Sequence, residues 1–279
     1  MAFIIRYFYA PLFFIGFISL AIWCIANELN ELWLIPILLI AIATSFVCER
    51  ALPFEPMWNQ PKADIQRDII HAIVNEASNS LAISLIPIIL ILLPFDGIWP
   101  RSWPLIIQLL MAILIADFGI TLMHYLSHKV AILWRFHAVH HSVERLYGFN
   151  GLMKHPLHQN LELLAGTTPL ILLGLPYEIG ALLAFSIIIQ LLLQHSNVDI
   201  KMGRLGYVWA IAPGHRHHHI ASKTQGNVNF GLFTMLWDHM LGTFVINRPQ
   251  PREGELGIFE YANYPKRYVA QLIHPFVKR

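Results

Sequence analysis

Charge is what this 279-residue chain has least of. Only 13% of its residues are Asp, Glu, Lys or Arg, against about a quarter in an ordinary soluble domain. Hydrophobic residues make up 56%, and the mean hydropathy is +0.53. A water-surrounded globule is excluded on these grounds, and an integral membrane protein is indicated. The net charge of +2 is too small to mark a nucleic-acid binder. Cysteine is nearly absent. Cys24 and Cys48 both lie in apolar stretches, where they read as small buried thiols, and they can build neither a disulfide framework nor a cysteine metal site. No G-x-G-x-x-G, C-x-x-C-H or H-E-x-x-H occurs, so dinucleotide binding, attached haem and zinc-protease chemistry lack their usual residues.

Long apolar runs are there in number. Stretches at about 8–27, 32–48, 80–95 and 104–123 each approach the roughly 20 residues that span hydrocarbon. Polar turns at Asn27–Glu31 and Phe95–Pro100 pair them into two helical hairpins. A third apolar block, 161–194, is broken by Gly174-Leu175-Pro176 and carries Pro169; it reads as a third, partly inserted hairpin. The run after Arg6 is too long for a secretory h-region and lacks a cleavage site, so a retained first helix is expected. The hairpin tips carry only Arg101, whereas Arg6, Arg50, Lys62, Arg67, Lys129, Arg135, Arg145, Lys154, Lys201, Arg204, Arg216, Lys223 and the C-terminal cations fall on the opposite side. The positive-inside rule makes that side cytosolic. The expected fold is an all-α integral membrane protein with about four transmembrane helices, a third hairpin and a cytosolic histidine-rich helical cap. It forms a single membrane domain over 1–279: an N-terminal hairpin (1–48), a catalytic region (49–245) and a tail (246–279) that is interfacial or packed on the cap.

Fifteen histidines are present, and most are grouped. Three boxes read His124-Tyr-Leu-Ser-His128, His137-Ala-Val-His140-His141 and His215-Arg-His217-His218-His219, with a lone His195 before the last. On a helix, residues i, i+3 and i+4 share a face, so each box can aim two or three imidazoles at one point. Chance predicts roughly 0.04 H-x-x-H-H patterns at this composition, and the chain has two. Hydropathy brings every box to one membrane face. Nine such imidazoles exceed what one ion takes, since zinc binds four ligands and an octahedral ion six. Two metal ions account for the number. Neutral ligands, a site where membrane meets cytosol and the lack of a hydrolytic base motif favour iron, although zinc binds such ligands at least as tightly.

Residues around the boxes have more than one reading. Asp117 shares a helical stripe with His124 and His128; it is either a carboxylate orienting a ligand imidazole or a helix–helix hydrogen bond. Asp199 orients His195 or is solvated. His155 and His158 supply a further ligand or line the pocket. Gln190 and Gln194 pack between helices. His217 points to solvent, and His71, His239 and His274 are surface or capping residues.

The order of the boxes resembles the fatty acid hydroxylase / sterol desaturase superfamily of membrane-bound di-iron oxidoreductases. Flanking elements add to the likeness: Trp134-Arg135-Phe136-His137, Asn227-Val228-Asn229-Phe230-Gly231, Trp237-Asp238-His239-Met240-Leu241-Gly242-Thr243-Phe244 (with Leu241 where phenylalanine is usual) and Glu49-Arg50-Ala51-Leu52-Pro53-Phe54. The likeness covers roughly 49–245. It implies two iron ions, with zinc as a possible substitute, held by His124, His128, His137, His140, His141, His195, His215, His218 and His219. It further implies a lipid substrate whose C–H bond is hydroxylated or desaturated with dioxygen. Electrons come from a separate donor, a b-type cytochrome or a ferredoxin with its reductase. The single His195 departs from members that carry a pair there. The compact form is closer to bacterial members, which places the chain in a bacterial inner membrane rather than endoplasmic reticulum. Two readings compete: a membrane metal transporter or sensor, which should place its ligands at the bilayer midplane, and a zinc-dependent membrane hydrolase, which should carry a carboxylate base within a box.

Overall fold

The computed structural model describes residues 2–92, 97–222, 224–259 and 263–277. Phe95 and Asp96 of the expected second turn, together with Lys223, Lys278 and Arg279 of the cation count, lie outside them. The chain is helical throughout its core: α1 Ala2–Ala26, α2 Leu34–Ala51, α3 Ile65–Leu92, α4 Leu105–Lys129, α5 Ala131–His141, α6 Pro156–Leu172, α7 Tyr177–Gln194, α8 Ala212–His215, α9 Leu236–Leu241 and α10 Tyr268–Ile273. Among the described residues no strand forms, only three isolated bridges.

Among the described residues, four segments are long and apolar enough to cross a membrane: Ala2–Ala26, Glu31–Ala51, Leu105–Lys129 and Tyr177–Gln194. They explain the low charge, because side chains such as Leu12, Leu39, Leu110 and Leu114 face outward on α1, α2 and α4 where lipid takes the place of water. The expected 80–95 stretch forms the C-terminal half of α3 and runs on outside the described residues.

The third hairpin reaches as far as the second. A Cβ on Gly97 would lie 2.5 Å from Gly174 Cα, so the α6–α7 tip touches the end of the α3–α4 connection, and Arg101 donates to Gly174 O at 3.1 Å. Gly174 has φ +79°, a left-handed value that suits glycine. Pro169 does not end α6, which continues to Leu172. Farther down, Gly119 of α4 lies so close to α6 that a Cβ there would be 2.1 Å from Ala165 O. Small residues at a helix crossing allow this approach. It brings the start of α6, with His155 and His158, beside the end of α4, with His124 and His128.

Candidate metal centre

The nine expected ligands meet in two groups. His124, His128, His137, His141 and His218 form one, and His140, His195, His215 and His219 the other; within each, the candidate ligand atoms lie within 4.8 Å of one another. The boxes do not aim at single points as their spacing suggested. His137 and His141, four apart on α5, join the first group while His140 turns to the second. His215 and His219 join the second while His218 crosses to the first. Neighbouring residues on a helix diverge by about 100°, so His140 and His141 of α5 fall in different groups; His218 and His219, in the turn after α8, divide likewise. The two H-x-x-H-H boxes thereby tie the groups together.

Hydrogen bonding shows what the rings are prepared to do. His124 Nδ1 donates to Phe230 O at 2.9 Å and His218 Nδ1 to Val228 O at 2.8 Å. In the second group, His140 Nδ1 donates to Met153 O at 3.0 Å and His195 Nδ1 to Leu191 O at 3.2 Å. A carbonyl only accepts, so these four rings carry their proton on Nδ1 and present a bare lone pair at Nε2. Yet His124 Nε2 faces His218 Nε2 at 2.8 Å, and His140 Nε2 faces His195 Nε2 at 3.3 Å. Two lone pairs pointing at each other repel. A cation between such rings reconciles the arrangement, and carbonyl-held imidazoles are the usual support of metal ligands.

Burial holds the rings neutral. It pushes His195 down to about 3, and drives His137, His140, His141, His215, His218 and His219 well below the ordinary imidazole value, with neighbouring imidazoles adding to the effect. Metal binding needs the neutral form. His128 is the most accessible ligand. Together with His141, His218 and Trp134 it lines a pocket of about 320 Å³ that is walled also by Asn227, Ile258 and Phe259. None of the second group's rings lines that pocket.

The flanking candidates are placed differently. Asp117 accepts from the backbone N–H of Leu232, Phe233 and Thr234 at 3.1, 2.7 and 3.0 Å, from Thr234 Oγ1 and from Trp237 Nε1. Its partners are a turn, neither an imidazole nor a second long helix. Asp199 pairs with Arg6 at 2.6 Å and Lys201 at 3.3 Å. His155 caps α6, accepting from Leu157 N and reaching Leu272 O with its other nitrogen, so both of its nitrogens are used. His158 lies against His137 with ring centres 4.5 Å apart and bonds Ser127 Oγ at 2.8 Å; with His137 and Glu162 it makes a third, smaller group. His217 is fully buried beside Gln250 rather than solvated. His71 is buried too, bonded to Lys154 O and Gln271, and is no surface residue.

Sequence reasoning missed several supports. The ring of Phe230 packs edge-on against His124, His128 and His218, and Asp238 holds Phe230 N and Gly231 N, each at 2.8 Å. The Asn-aromatic-glycine turn and the Trp-Asp pair were visible, but their roles were not. The carbonyls of Leu191, Met153 and Val228 carry no signal in residue identity.

Comparison with known proteins agrees with this geometry. The fatty acid hydroxylase family model matches residues 109–243, which contain all nine histidines. Ornithine lipid hydroxylase OlsE of Rhizobium tropici is 32% identical over 272 residues, covering 93% of this chain and 80% of that protein. Alkylglycerol monooxygenases of Danio rerio and Homo sapiens are 29% and 28% identical over 152 residues, 54% of this chain; the match spans 32% of each of those longer proteins. No solved structure matches.

Proposed function

The chain belongs to the fatty acid hydroxylase family, and from that premise we propose that it is a membrane-bound di-iron oxygenase that hydroxylates a C–H bond of an amphiphilic membrane lipid. One observation carries the reading. In each histidine group a pair of Nε2 lone pairs face each other, at 2.8 Å and 3.3 Å, with their Nδ1 protons already given to carbonyls. Both groups are therefore built for a cation. Two irons, held by His124, His128, His137, His141 and His218 and by His140, His195, His215 and His219, would supply the oxidising power of dioxygen.

The protein's own residues do the rest. Carbonyls and Phe230 hold the rings in place, and burial keeps them neutral. The pocket beside His128, His141 and His218 offers the way in for dioxygen or substrate. Two relatives named a lipid hydroxylase and a monooxygenase support oxygen insertion over desaturation, and their named substrates, ornithine lipid and alkylglycerol, support a polar-headed lipid. Electrons would come from a separate b-type cytochrome or ferredoxin with its reductase. The histidine face is assigned to the cytosol on the distribution of Lys and Arg, in a bacterial inner membrane. A midplane transport site is not favoured, since the boxes lie at or beyond helix ends.

Comparative lipid mass spectrometry of cells with and without the protein, alongside metal analysis of the purified chain, tests the proposal. A lipid heavier by one oxygen atom is expected, with iron exceeding zinc. A product lighter by two hydrogens would reassign the reaction to desaturation. Unchanged lipids with a fully iron-loaded protein and a working donor would overturn it.

A further inference from the structure

Backbone polar groups at membrane depth must be satisfied by protein, and irregular chain is tolerated there only when it is. Residues 208–210 and 229–241 meet that condition in a telling place. Asp117, at the midpoint of α4, takes the N–H groups of residues 232–234. Gln190 of α7 donates to Ala210 O and Leu232 O at 2.6 and 2.8 Å, and Gln194 to Gly231 O at 2.7 Å. The buried polar residues of two apolar spans thus serve one turn.

Depth follows from helix geometry. Asp117 is about 18 Å along α4 from its end at Lys129, at about 1.5 Å per residue. On α1, Phe14 packs edge-on against Trp209 and Phe233, about 12 Å along the helix from Arg6. Half the hydrocarbon thickness is about 15 Å. α1 and α4 thus put this turn about 12–18 Å in from their histidine-side ends, and α7, whose Gln190 and Gln194 lie within about 6 Å of its own end, puts it shallower, so that the turn lies within the leaflet on the histidine side.

Its outer surface suits that depth. Leu205, Val208, Leu236 and Met240 are 54%, 62%, 44% and 72% exposed. Trp237 packs at a tilt against Phe118, ring centres 4.9 Å apart, and Phe118 is itself exposed on the outward face of α4. Of its polar members Asp238 is buried on the turn, while His239 is exposed with its Nε2 bonded to Tyr207 O at 2.9 Å.

We propose that residues 205–209 together with α9 form a re-entrant lip immersed in the acyl chains of the leaflet on the histidine side, continuous with the lipid-facing surface of α1 and α4. Its occupant is lipid hydrocarbon. The histidine-rich cap is then not wholly aqueous. The same turn carries Phe230, whose carbonyl holds His124, so the lipid-facing lip is joined directly to the five-histidine group.

The test uses the full chain in bilayers, with Cys24→Ala and Cys48→Ala and single cysteines at Met240→Cys, Val208→Cys or, as a water-side control, Glu253→Cys, each carrying an environment-sensitive fluorophore. Bromines placed midway along the acyl chains should quench the labels at 240 and 208 several-fold more than aqueous iodide does, with the reverse at 253. Iodide quenching at 240 equal to that at 253 would overturn the lip. The unmodified protein gives a second readout. A lipid-borne diazirine should mark residues 236–241 as it marks Leu110 and Leu114; adducts on the latter without the former would also overturn it.

Discussion

His141 and His219 stack with ring centres 4.7 Å apart, yet they belong to groups of unequal make-up. The first has five imidazoles, a partly accessible member in His128, the wall of a 320 Å³ pocket and the packed ring of Phe230. The second has four, all buried, and depends on the lone His195. The departure noted in the sequence, one histidine where some relatives have a pair, therefore falls wholly on the enclosed group. A short ligand set in a closed place and a full set beside an opening suggest different tolerances to damage.

The sharpest way to break that comparison is to remove one ligand from each side. His195→Ala leaves three imidazoles, and the expected outcome is loss of half the bound metal with no measurable turnover. His128→Ala leaves four, as the other group has by nature, and should retain most of its metal with much reduced activity. Metal analysis and turnover on the two purified variants decide it; the reverse ranking would show that ligand count does not govern loading.

Removing a support instead of a ligand should have the next largest effect. Asp238→Asn weakens the hold on Phe230 N and Gly231 N, and through the Phe230 carbonyl the hold on His124. Metal affinity should fall roughly 10- to 100-fold in the five-histidine group alone, seen as a fast phase of metal loss to a chelator that accounts for half the total. Uniform release from both groups would argue that they act as one.

The opening can be narrowed. Ile258→Trp fills part of the pocket beside His128 and should lower kcat/KM by roughly tenfold with metal content unchanged. An unaltered kcat/KM would mean that neither dioxygen nor substrate uses this entrance.

Acidification probes what the groups share. The imidazoles outside the spans are held below their ordinary value by burial, His195 to about 3, whereas in an unfolded chain they would take up protons near pH 6.5. The unfolded state binds more protons in that window, so stability is full above about pH 6.5 and is lost as pH falls from there towards 3. The chelator-stripped protein should melt lower by about 5 °C or more at pH 5 than at pH 7. A flat melting profile would contradict neutral burial.

Some of this was legible beforehand. Hydropathy marked α1, α2 and α4 because hydrocarbon selects side chains residue by residue, and the boxes stood out because imidazole recurs there far above chance. All nine candidate ligands were found that way. The split into five and four was not, since spacing says which residues share a face but not which face meets which centre. Asp117 was noticed for its cost in a membrane, and its service to a turn more than a hundred residues later could not be read from the helix it sits on. His71, read as a surface or capping residue, and His217, read as pointing to solvent, are both buried, and neighbours along the chain carry no sign of that.

By itself, then, the sequence determined that the chain lies in a membrane, that it repeats imidazoles at the spacing of metal ligands and which family it joins, because composition and short-range spacing are enough for each. Only the tertiary structure decided how the imidazoles divide, which carbonyls fix their tautomers, where the pocket opens and which spans the 229–241 turn packs on. Those depend on contacts between residues far apart in the chain, chiefly α4 with the turn at 229–235, and on backbone atoms that every residue possesses alike.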